Sequence, residues 1–566
     1  MKLRFFKNKY RSSEIALDEV FLDSKNLPNF NTQQFEGRIE KPIPKSSAIF
    51  LGSFFVLIGV VFVWQLGFLQ IHEGEAYFKK SENNTLTKKP IFSDRGLIYD
   101  RNGVLLVWNT WNKENGEKLE APTRSYTKDL GFAHILGYVS PPAKDNFGNY
   151  WQDSFLGKDG VEKFYDADLK GVNGVRITET DVKGTVQSEN IVSPAKPGTA
   201  LNLSIDSRIQ KKLNNSVIDM AHSVGFSGGA GVLMDIQTGE ILALTSYPEY
   251  NPTLLSLGQD KKTISEYLTD NRKVFMNRAT NGLYTPGSIV KPFVGYGALV
   301  EGVISPFKTI LANGSIEIPN PYFPAQKSVF KDHGVFGNVD IEKAIAVSSD
   351  VFFYEIGGGF KDQKGLGIVN IDNYARMFGI AQKTGIDLPG EKEGTIPTPE
   401  WKAKTFKGDA WRVGDTYNTA IGQYGFQVTP VQIVRAVAAI ANGGTLVTPH
   451  VRVKDTAMES KTSKIQIDQD KMKYIKEGMR RAVTEGTAQS LNLKNVAVAA
   501  KSGTAQIGVG NTNTNSWIEG FFPYDKPRYA FVVMMERGPK AASGNATRVA
   551  SEMVDYMSVY TPEYLK

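Results

Sequence analysis

Residues 230–246 read AGVLMDIQTGEILALTS, and this stretch decides the fold class. Two apolar runs flank Gln237-Thr238-Gly239, a pattern that predicts a β-hairpin turning at the glycine. Strand patterns return only near the end of the chain, at 496–506, 516–523 and 529–536. The residues between these runs are mostly helical in pattern. A sheet assembled from both ends of one domain, with helices inserted, predicts an α+β fold.

The N-terminal boundary of this domain follows Pro197-Gly198, where the sequence pattern changes. LNLSI (201–205) alternates like a strand, and Asp206 is suited to cap a helix with apolar residues every four positions. We therefore predict one domain over 201–566. Residues 72–200 contain many turn signals and short strand patterns, which predict a strand-rich, non-catalytic pedestal.

A membrane segment is predicted at 46–71, a stretch without any charged side chain. Its apolar centre, AIFLGSFFVLIGVVFVWQLGFL (48–69), is long enough to cross a hydrocarbon core of ~30 Å. A signal-peptide core is shorter and ends in small residues, whereas this run continues into large side chains. We interpret it as an uncleaved membrane-spanning helix.

The residues before this segment are basic, with nine Lys and Arg among the first 45. The positive-inside rule predicts that 1–45 is a cytoplasmic tail. The remainder of the chain is then on the extracytoplasmic side of the cytoplasmic (inner) membrane. The absence of cysteine suits an oxidising exterior.

Composition restricts the chemistry that this 566-residue chain can perform. Without cysteine, a disulfide framework, a cysteine nucleophile and a thiolate metal site are excluded. The five histidines show no metal-ligand spacing, so neither a metal ion nor another cofactor is expected. The net charge of +7 is mild and gives no indication of nucleic-acid binding. Catalysis would have to use hydroxyls, carboxylates or lysines.

The first candidate site is YTPGSIVK (284–291), which contains a serine and a lysine three residues apart. A helix starting near Ser288 would place Ser288 and Lys291 on one face, with the serine at the positive end of the helix. A lysine can act as base for a serine when burial or another cation removes its proton. The same spacing occurs elsewhere, at Ser125, Ser193, Ser305 and Ser328. Only the segment at Ser288 has a Pro-Gly entry to a helix.

Two further polar motifs follow. Lys501-Ser502-Gly503-Thr504 ends an alternating strand, where Lys501 and the hydroxyls of Ser502 and Thr504 would suit a carboxylate. Gly503 would let a ligand approach the backbone. A similar Lys-Thr-Gly at 383–385 runs into a loop-like segment and is discounted. Ser348-Ser349-Asp350 lies between two apolar helical segments, so a helix junction with serine capping remains an alternative.

The order and elements of these motifs resemble the penicillin-recognising acyl-serine transferases. Six longer stretches resemble class B penicillin-binding proteins: DRGLIYDRNG (94–103), GKDGVEKFYDADLKGVNG (157–174), GAGVLMDIQTGEILALTSYPEYNP (229–252), GIDLPGE (385–391), IGQYGFQVTPVQIVRAVAAIANGG (421–444) and RRAVTEGTA (480–488). Asp350 and GDTYNTAIGQ (414–423) look more like the elongation-type penicillin-binding protein 2 than the division type. The resemblance implies a transpeptidase domain with an antiparallel sheet flanked by helices.

The resemblance also implies roles for the candidate residues. Ser288 would be the nucleophile toward a peptidoglycan stem peptide, and Lys291 its base, kept neutral by burial and by Lys501. Ser348 would relay a proton to the leaving amine. Lys501, Ser502 and Thr504 would hold the substrate carboxylate, and the N–H groups of Ser288 and Thr504 would form the oxyanion hole.

Asp350 departs from the asparagine that is more usual in this family. Two interpretations stay open: Asp350 faces amide donors of the substrate, or it shares a proton with Lys291. The sequence does not choose between them.

The activity expected from the resemblance is crosslinking of stem peptides of the lipid-linked precursor polymer during cell-wall elongation, with β-lactams as inhibitors. The alternatives are a division-type transpeptidase, a D,D-carboxypeptidase or β-lactamase-like hydrolase, a β-lactam sensor and an inactive scaffold. The elongation type also implies a SEDS-family glycosyltransferase and the elongation machinery as partners. The membrane anchor and the pedestal would contact them.

Overall fold

The computed structural model describes residues 45–76, 86–111, 113–114, 117–118, 121–146, 148–180, 186–320, 323, 325–453, 462–540, 542 and 544–565. Apart from Lys45, the predicted basic tail lies outside these residues. The chain divides into two units. One comprises Met1–Thr87 with Glu179–Thr185, and the other comprises Lys88–Thr178 with Val186–Lys566.

The first unit contains the predicted membrane segment. Helix α1 (Lys45–Gly67) continues into a short π-helical turn, Phe68–His72. Over Lys45–His72 the peak mean hydropathy is 2.4, and none of this described window is buried. A helix of 28 residues is long and apolar enough to cross a membrane, which agrees with the span predicted at 46–71.

The pedestal is rich in short strands, as predicted. Its strands are β1 Leu86–Ile91, β2 Ile98–Tyr99, β3 Leu105–Thr110, β4 Lys113–Glu114, β5 Glu117–Lys118, β6 Thr123–Tyr126, β7 Val139–Ser140, β8 Ala143–Lys144, β9 Tyr150–Gln152, β10 Leu156–Gly157, β11 Gly174–Thr180 and β12 Val186–Ser193. The next strand, β13 Leu201–Asn202, begins the domain predicted over 201–566. Three one-turn helices accompany them: α2 Ala133–Leu136, α3 Gly160–Phe164 and α4 Asp166–Leu169.

A buried ionic cluster joins the strands of the pedestal to its helices. Glu162 on α3 is fully buried, and its carboxylate accepts hydrogen bonds from Arg95 at 2.5 Å and from Arg124 at 2.8 Å. Arg95 also pairs with Asp166 at 2.7 Å. Arg124 donates further to the carbonyl of Gly96 at 2.7 Å. One carboxylate thus holds two guanidinium groups in the interior.

The predicted strand at 201–205 is shorter than expected. Only Leu201–Asn202 is extended as β13, and it pairs in parallel with β2 of the pedestal. Leu203 still donates its N–H to the carbonyl of Tyr99 on β2, but it also forms an isolated bridge with Arg452, and the strand does not continue beyond it. The alternation in 201–205 therefore reflects pairing first with β2 and then with Arg452, rather than one continuous strand.

The remaining helices are α5 Ser207–Val224, α6 Pro252–Leu257, α7 Lys261–Thr269, α8 Lys291–Val300, α9 Ile341–Val347, α10 Asp350–Gly358, α11 Gly367–Met377, α12 Pro399–Thr405, α13 Val413–Ala420, α14 Pro430–Ala441, α15 Gln469–Thr484 and α16 Asn545–Tyr560. The remaining strands are β14 Gly228–Asp235, β15 Ile241–Tyr247, β16 Ile310–Ala312, β17 Ser315–Pro319, β18 Lys327–Lys331, β19 Gly337–Val339, β20 Thr445–Val447, β21 Thr462–Lys464, β22 Ala499–Ile507, β23 Asn513–Phe522 and β24 Tyr529–Pro539.

The central sheet has five antiparallel strands in the order β15-β14-β24-β23-β22. The predicted hairpin forms β14 and β15, and the three predicted C-terminal strands complete the sheet. Helices α5 and α16 cover one face, while α14 and the helices inserted between β15 and β22 cover the other. Asp206 caps α5 by accepting from the N–H of Arg208. These observations confirm the α+β prediction.

Candidate active site

Ser288 lies in a single 3-10 turn, Gly287–Val290, that leads directly into α8. The α-helix begins at Lys291, three residues later than Ser288, because the first turn takes the tighter form. Gly287 has φ +60°, and a Cβ there would lie 2.8 Å from the carbonyl oxygen of Thr504. Glycine is therefore required both by the backbone conformation and by the close approach of β22.

Lys291 is fully buried one turn into the molecule from Ser288. Its Nζ donates to the carbonyl oxygen of Ser348 and to Oδ1 of Asp350, both at 2.6 Å. Nζ also lies 3.4 Å from the hydroxyl of Ser348 and 5.3 Å from the ring centre of Phe353. Lys291 is thus directed toward the second motif by an ion pair and a backbone acceptor.

The second motif forms the junction of α9 and α10, and its two serines have different tasks. Ser349 caps α10 by accepting from the N–H of Phe352 at 3.3 Å, and its hydroxyl donates to Asp332 at 2.7 Å. Ser348 has φ +62°, a left-handed conformation that is uncommon for serine. The junction interpretation is therefore true of Ser349, whereas Ser348 faces the lysines.

The third motif lies on β22, beside the turn that carries Ser288. Lys501 is fully buried, and its Nζ contacts the Ser348 hydroxyl at 2.8 Å and the Ser502 carbonyl at 2.7 Å. A Cβ on Gly503 would lie 3.0 Å from the carbonyl oxygen of Pro286 and 3.2 Å from the nitrogen of Ile289. The structure therefore brings all three motifs together around Ser288.

Charges in this cluster perturb one another. Burial lowers the pKa of Lys501 well below its ordinary value, and the neighbouring Lys291 lowers it further. Burial opposes ionisation of Asp350, but Lys291 and His333 outweigh it and lower the pKa of that carboxyl. Asp350 lies in contact with Lys291, and the sharing of a proton between the two stays a prediction.

A cavity of about 950 Å³ opens beside Ser288. Ser348, Asp350, Ser502, Gly503 and Thr504 also line it. Sequence reasoning missed several further lining residues: Asp332, His333, Tyr354, Asn418, Tyr424 and Thr487. Asp332-His333 offered a signal, since histidine is scarce in this chain. The discounted Lys-Thr-Gly at 383–385 is indeed a loop, where Thr384 bonds to Glu391.

Within the described part of the chain, one group could supply several metal ligands: Asp332, His333 and Asp350, whose ligand atoms lie within 4.8 Å of one another. These atoms already have partners in the protein. Asp332 accepts from Ser349, and Asp350 pairs with Lys291. An ion would have to displace an ammonium and a hydroxyl, so the group does not fit a metal well. The expectation that no metal is needed stays a prediction.

His333 gives a pH-dependent stability that can be measured. Hydrogen bonds to Asp332 and then Asp350 raise its pKa to about 9, against a smaller opposing effect of burial. The stabilisation by charged His333 is present in full below about pH 6.5 and is lost as the pH rises through about 9. We expect the Tm gap between wild type and His333→Asn to shrink across that window. A gap that stays constant from about pH 6 to about pH 10 in thermal unfolding would contradict this.

Comparison with known proteins assigns the family. The family model described as penicillin binding protein transpeptidase domain matches residues 229–555. The chain belongs to this family. A second model, the penicillin-binding protein dimerisation domain, matches residues 117–203. With the relatives described next, the predicted resemblance to class B penicillin-binding proteins, most like penicillin-binding protein 2, is confirmed.

Individual relatives of this penicillin-binding protein extend over nearly its whole length. Peptidoglycan D,D-transpeptidase MrdA of Acinetobacter baumannii is 29% identical, covering 91% of this chain and 89% of the relative. The structure titled as a complex between PBP2 and MreC from Helicobacter pylori has TM-score 0.69 and 27% identity, covering 84% of this chain and 99% of that one. A chain in a peptidoglycan synthase complex, titled as coordinating polymerization and crosslinking, has TM-score 0.69 and 25% identity, covering 90% and 97%.

Proposed function

We propose that this chain is a peptidoglycan D,D-transpeptidase of the elongation type, which crosslinks stem peptides through a serine acyl-enzyme. The observation that carries the proposal is the contact of Lys291 and Lys501 with one hydroxyl, Ser348, beside Ser288. This arrangement provides a nucleophile, a base and a proton relay within a single cavity. The relative named as a peptidoglycan D,D-transpeptidase supports the same reaction.

Acylation begins when Ser288 attacks the carbonyl carbon of the penultimate D-alanine. Lys291, in its amine form, accepts the hydroxyl proton, and Asp350 at 2.6 Å stabilises the ammonium that results. The C–N bond then breaks, and the proton reaches the leaving D-alanine through Ser348. An amine of a neighbouring stem peptide attacks the ester, and its proton returns to Ser288. Asp350 thus stabilises the ammonium form of Lys291.

Substrate binding falls to β22 and to the turn of Ser288. Lys501 supplies positive charge for the terminal carboxylate, with the hydroxyls of Ser502 and Thr504 as further donors. The Ser502 hydroxyl lies 2.6 Å from that of Thr487, so the two form a hydrogen bond at the edge of the site. The N–H groups of Ser288 and Thr504 are the proposed oxyanion hole, because β22 and the turn are in backbone contact at Gly287.

The test separates transfer from hydrolysis. The full-length chain in detergent is incubated with a D-Ala-D-Ala peptide and a D-amino acid acceptor, and both products are quantified by mass spectrometry. We expect the acceptor to enter the peptide, in addition to any release of D-alanine. Release of D-alanine without incorporation of the acceptor would favour the hydrolase alternative. The boundaries at 72–200 and 201–566 remain part of this proposal, as pedestal and catalytic domain.

Location and partners follow from the anchor and the pedestal. We propose that α1 holds the chain in the cytoplasmic membrane, with the catalytic domain outside. The solved complex with MreC and the peptidoglycan synthase complex support assembly with elongation machinery. A SEDS-family glycosyltransferase is the proposed partner of the anchor and pedestal.

A further inference from the structure

A buried carboxyl group lies on the strand next to the lysine of the third motif. Glu519 on β23 is the register partner of Lys501 on β22, so the two side chains point to the same face of the sheet. Glu519 is fully buried, and its strand neighbours on that face are Trp517 and Phe521. Among the described residues, neither carboxyl oxygen of Glu519 has a hydrogen-bond partner. The proposed mechanism assigns this residue no task.

An unpartnered carboxyl group in an apolar interior is costly, whether neutral or charged. Burial raises the pKa of Glu519 well above its ordinary value, and Lys501 acts in the opposite direction. Glu519 in turn raises the pKa of Lys501, against burial and Lys291. The two groups are therefore coupled, and their protons are lost as those of a pair.

Charged groups on the other elements around Glu519 do not replace Lys501 as its partner. On β24 the residue opposite Glu519 is Val532. The charged residue of α14, Arg435, is directed toward Gly379 on a different side of that helix. On α8 the charged residue is Lys291, which is paired with Asp350. Lys501 is thus the group of opposite charge that the described neighbours offer to Glu519.

We propose that Glu519 is the buried counter-charge of Lys501 and, through it, a positioning residue for the reaction. In this assignment the two side chains hold one proton between them. Lys501 can then present its ammonium to the substrate carboxylate although Lys291 lies close by, since the pair has no net charge. The inference rests on the proposed function for the role of Lys501 in binding substrate, but not for the coupling itself.

The coupling is tested without any substrate, by a thermal double-mutant cycle in the full chain. Wild type, Glu519→Gln, Lys501→Met and the double variant are compared by Tm in detergent. We expect Lys501→Met to lower the Tm more when Glu519 is present than in the Gln background, because it strands a buried carboxyl group. Additive shifts would overturn the proposal, whether or not the chain proves to be a transpeptidase.

The effect on the reaction is tested by the pH profile of acylation with a fluorescent penicillin. In Glu519→Gln, Lys501 loses its proton at lower pH, so the alkaline limb should move down by about one pH unit or more. Glu519→Leu should move it in the same way, because it also removes the counter-charge of Lys501. The matched control is Glu477→Gln on α15, whose carboxylate bonds to Tyr524.

The outcomes of the two measurements are distinguishable. Superimposable profiles for wild type and Glu519→Gln, or an equal shift in Glu477→Gln, would overturn the assigned role of Glu519. Absence of labelling in wild type would instead contradict the proposed function. The double-mutant cycle in Tm would still show whether Lys501 and Glu519 are coupled.

Discussion

Ser288→Ala should abolish covalent labelling of the full-length chain by a fluorescent penicillin. The hydroxyl is the atom that forms the ester, so its removal leaves nothing for the acyl group to bond to. Loss of a catalytic nucleophile elsewhere costs about 10⁶-fold in rate, which in a gel assay is complete loss of the labelled band. Labelling is read by in-gel fluorescence after matched incubation times.

A neighbouring hydroxyl and a stability measurement provide controls for this result. Ser502 lines the same cavity, and Ser502→Ala should still be labelled, more slowly, because it loses only a donor to the carboxylate. The Tm of Ser288→Ala should match wild type, since the half-buried hydroxyl supports no packing. A labelled band that persists in Ser288→Ala would show that another residue is the nucleophile.

Glu162→Gln should destabilise the chain by about 3–5 kcal/mol, the usual cost of breaking a buried ion pair from one side. The carboxylate of Glu162 is fully buried and holds both Arg95 and Arg124. The amide of the glutamine carries no negative charge, and its NH₂ group would face one of the two guanidinium groups, donor against donor. Arg124 then remains buried beside backbone carbonyls without a carboxylate. The change in the free energy of unfolding is measured by urea denaturation.

A surface pair serves as the matched control. Glu189 pairs with Arg176 at 3.2 Å, and both side chains are more than 40% exposed. Water screens this pair, so Glu189→Gln should change the free energy of unfolding by less than about 1 kcal/mol. Equal effects of the two substitutions would show that the cluster around Glu162 does not hold the pedestal together.

Local sequence signals predicted the sheet well, because the apolar pattern of each strand reflects the burial of its own side chains. Residues 230–246 form two paired strands with the turn at the predicted glycine. Asp206 caps α5 because a cap needs only the residues next to it. The strand predicted at 201–205 was too long, since alternation cannot reveal that Leu203 also bridges to Arg452, 249 positions along the chain.

The candidate site was predictable in its motifs but not in its electrostatics. Spacing placed Lys291 one turn from Ser288, and the Pro-Gly entry distinguished that serine from the others. The contact of Lys291 with Asp350 joins residues that are 59 positions apart, and no local sequence pattern predicts it. Glu519 was hidden for a different reason: it sits in SWIEGFFP, an otherwise apolar strand pattern, so its position opposite Lys501 required the register.

The glycines around Ser288 limit how this chain can evolve under antibiotic pressure. A Cβ at Gly287, Gly422 or Gly503 would come within about 3 Å of backbone atoms next to the serine. Substitutions at these glycines would therefore disturb the backbone that positions Ser288, the residue with which a β-lactam would react. Change at this site is then expected at cavity-lining positions that already carry a side chain.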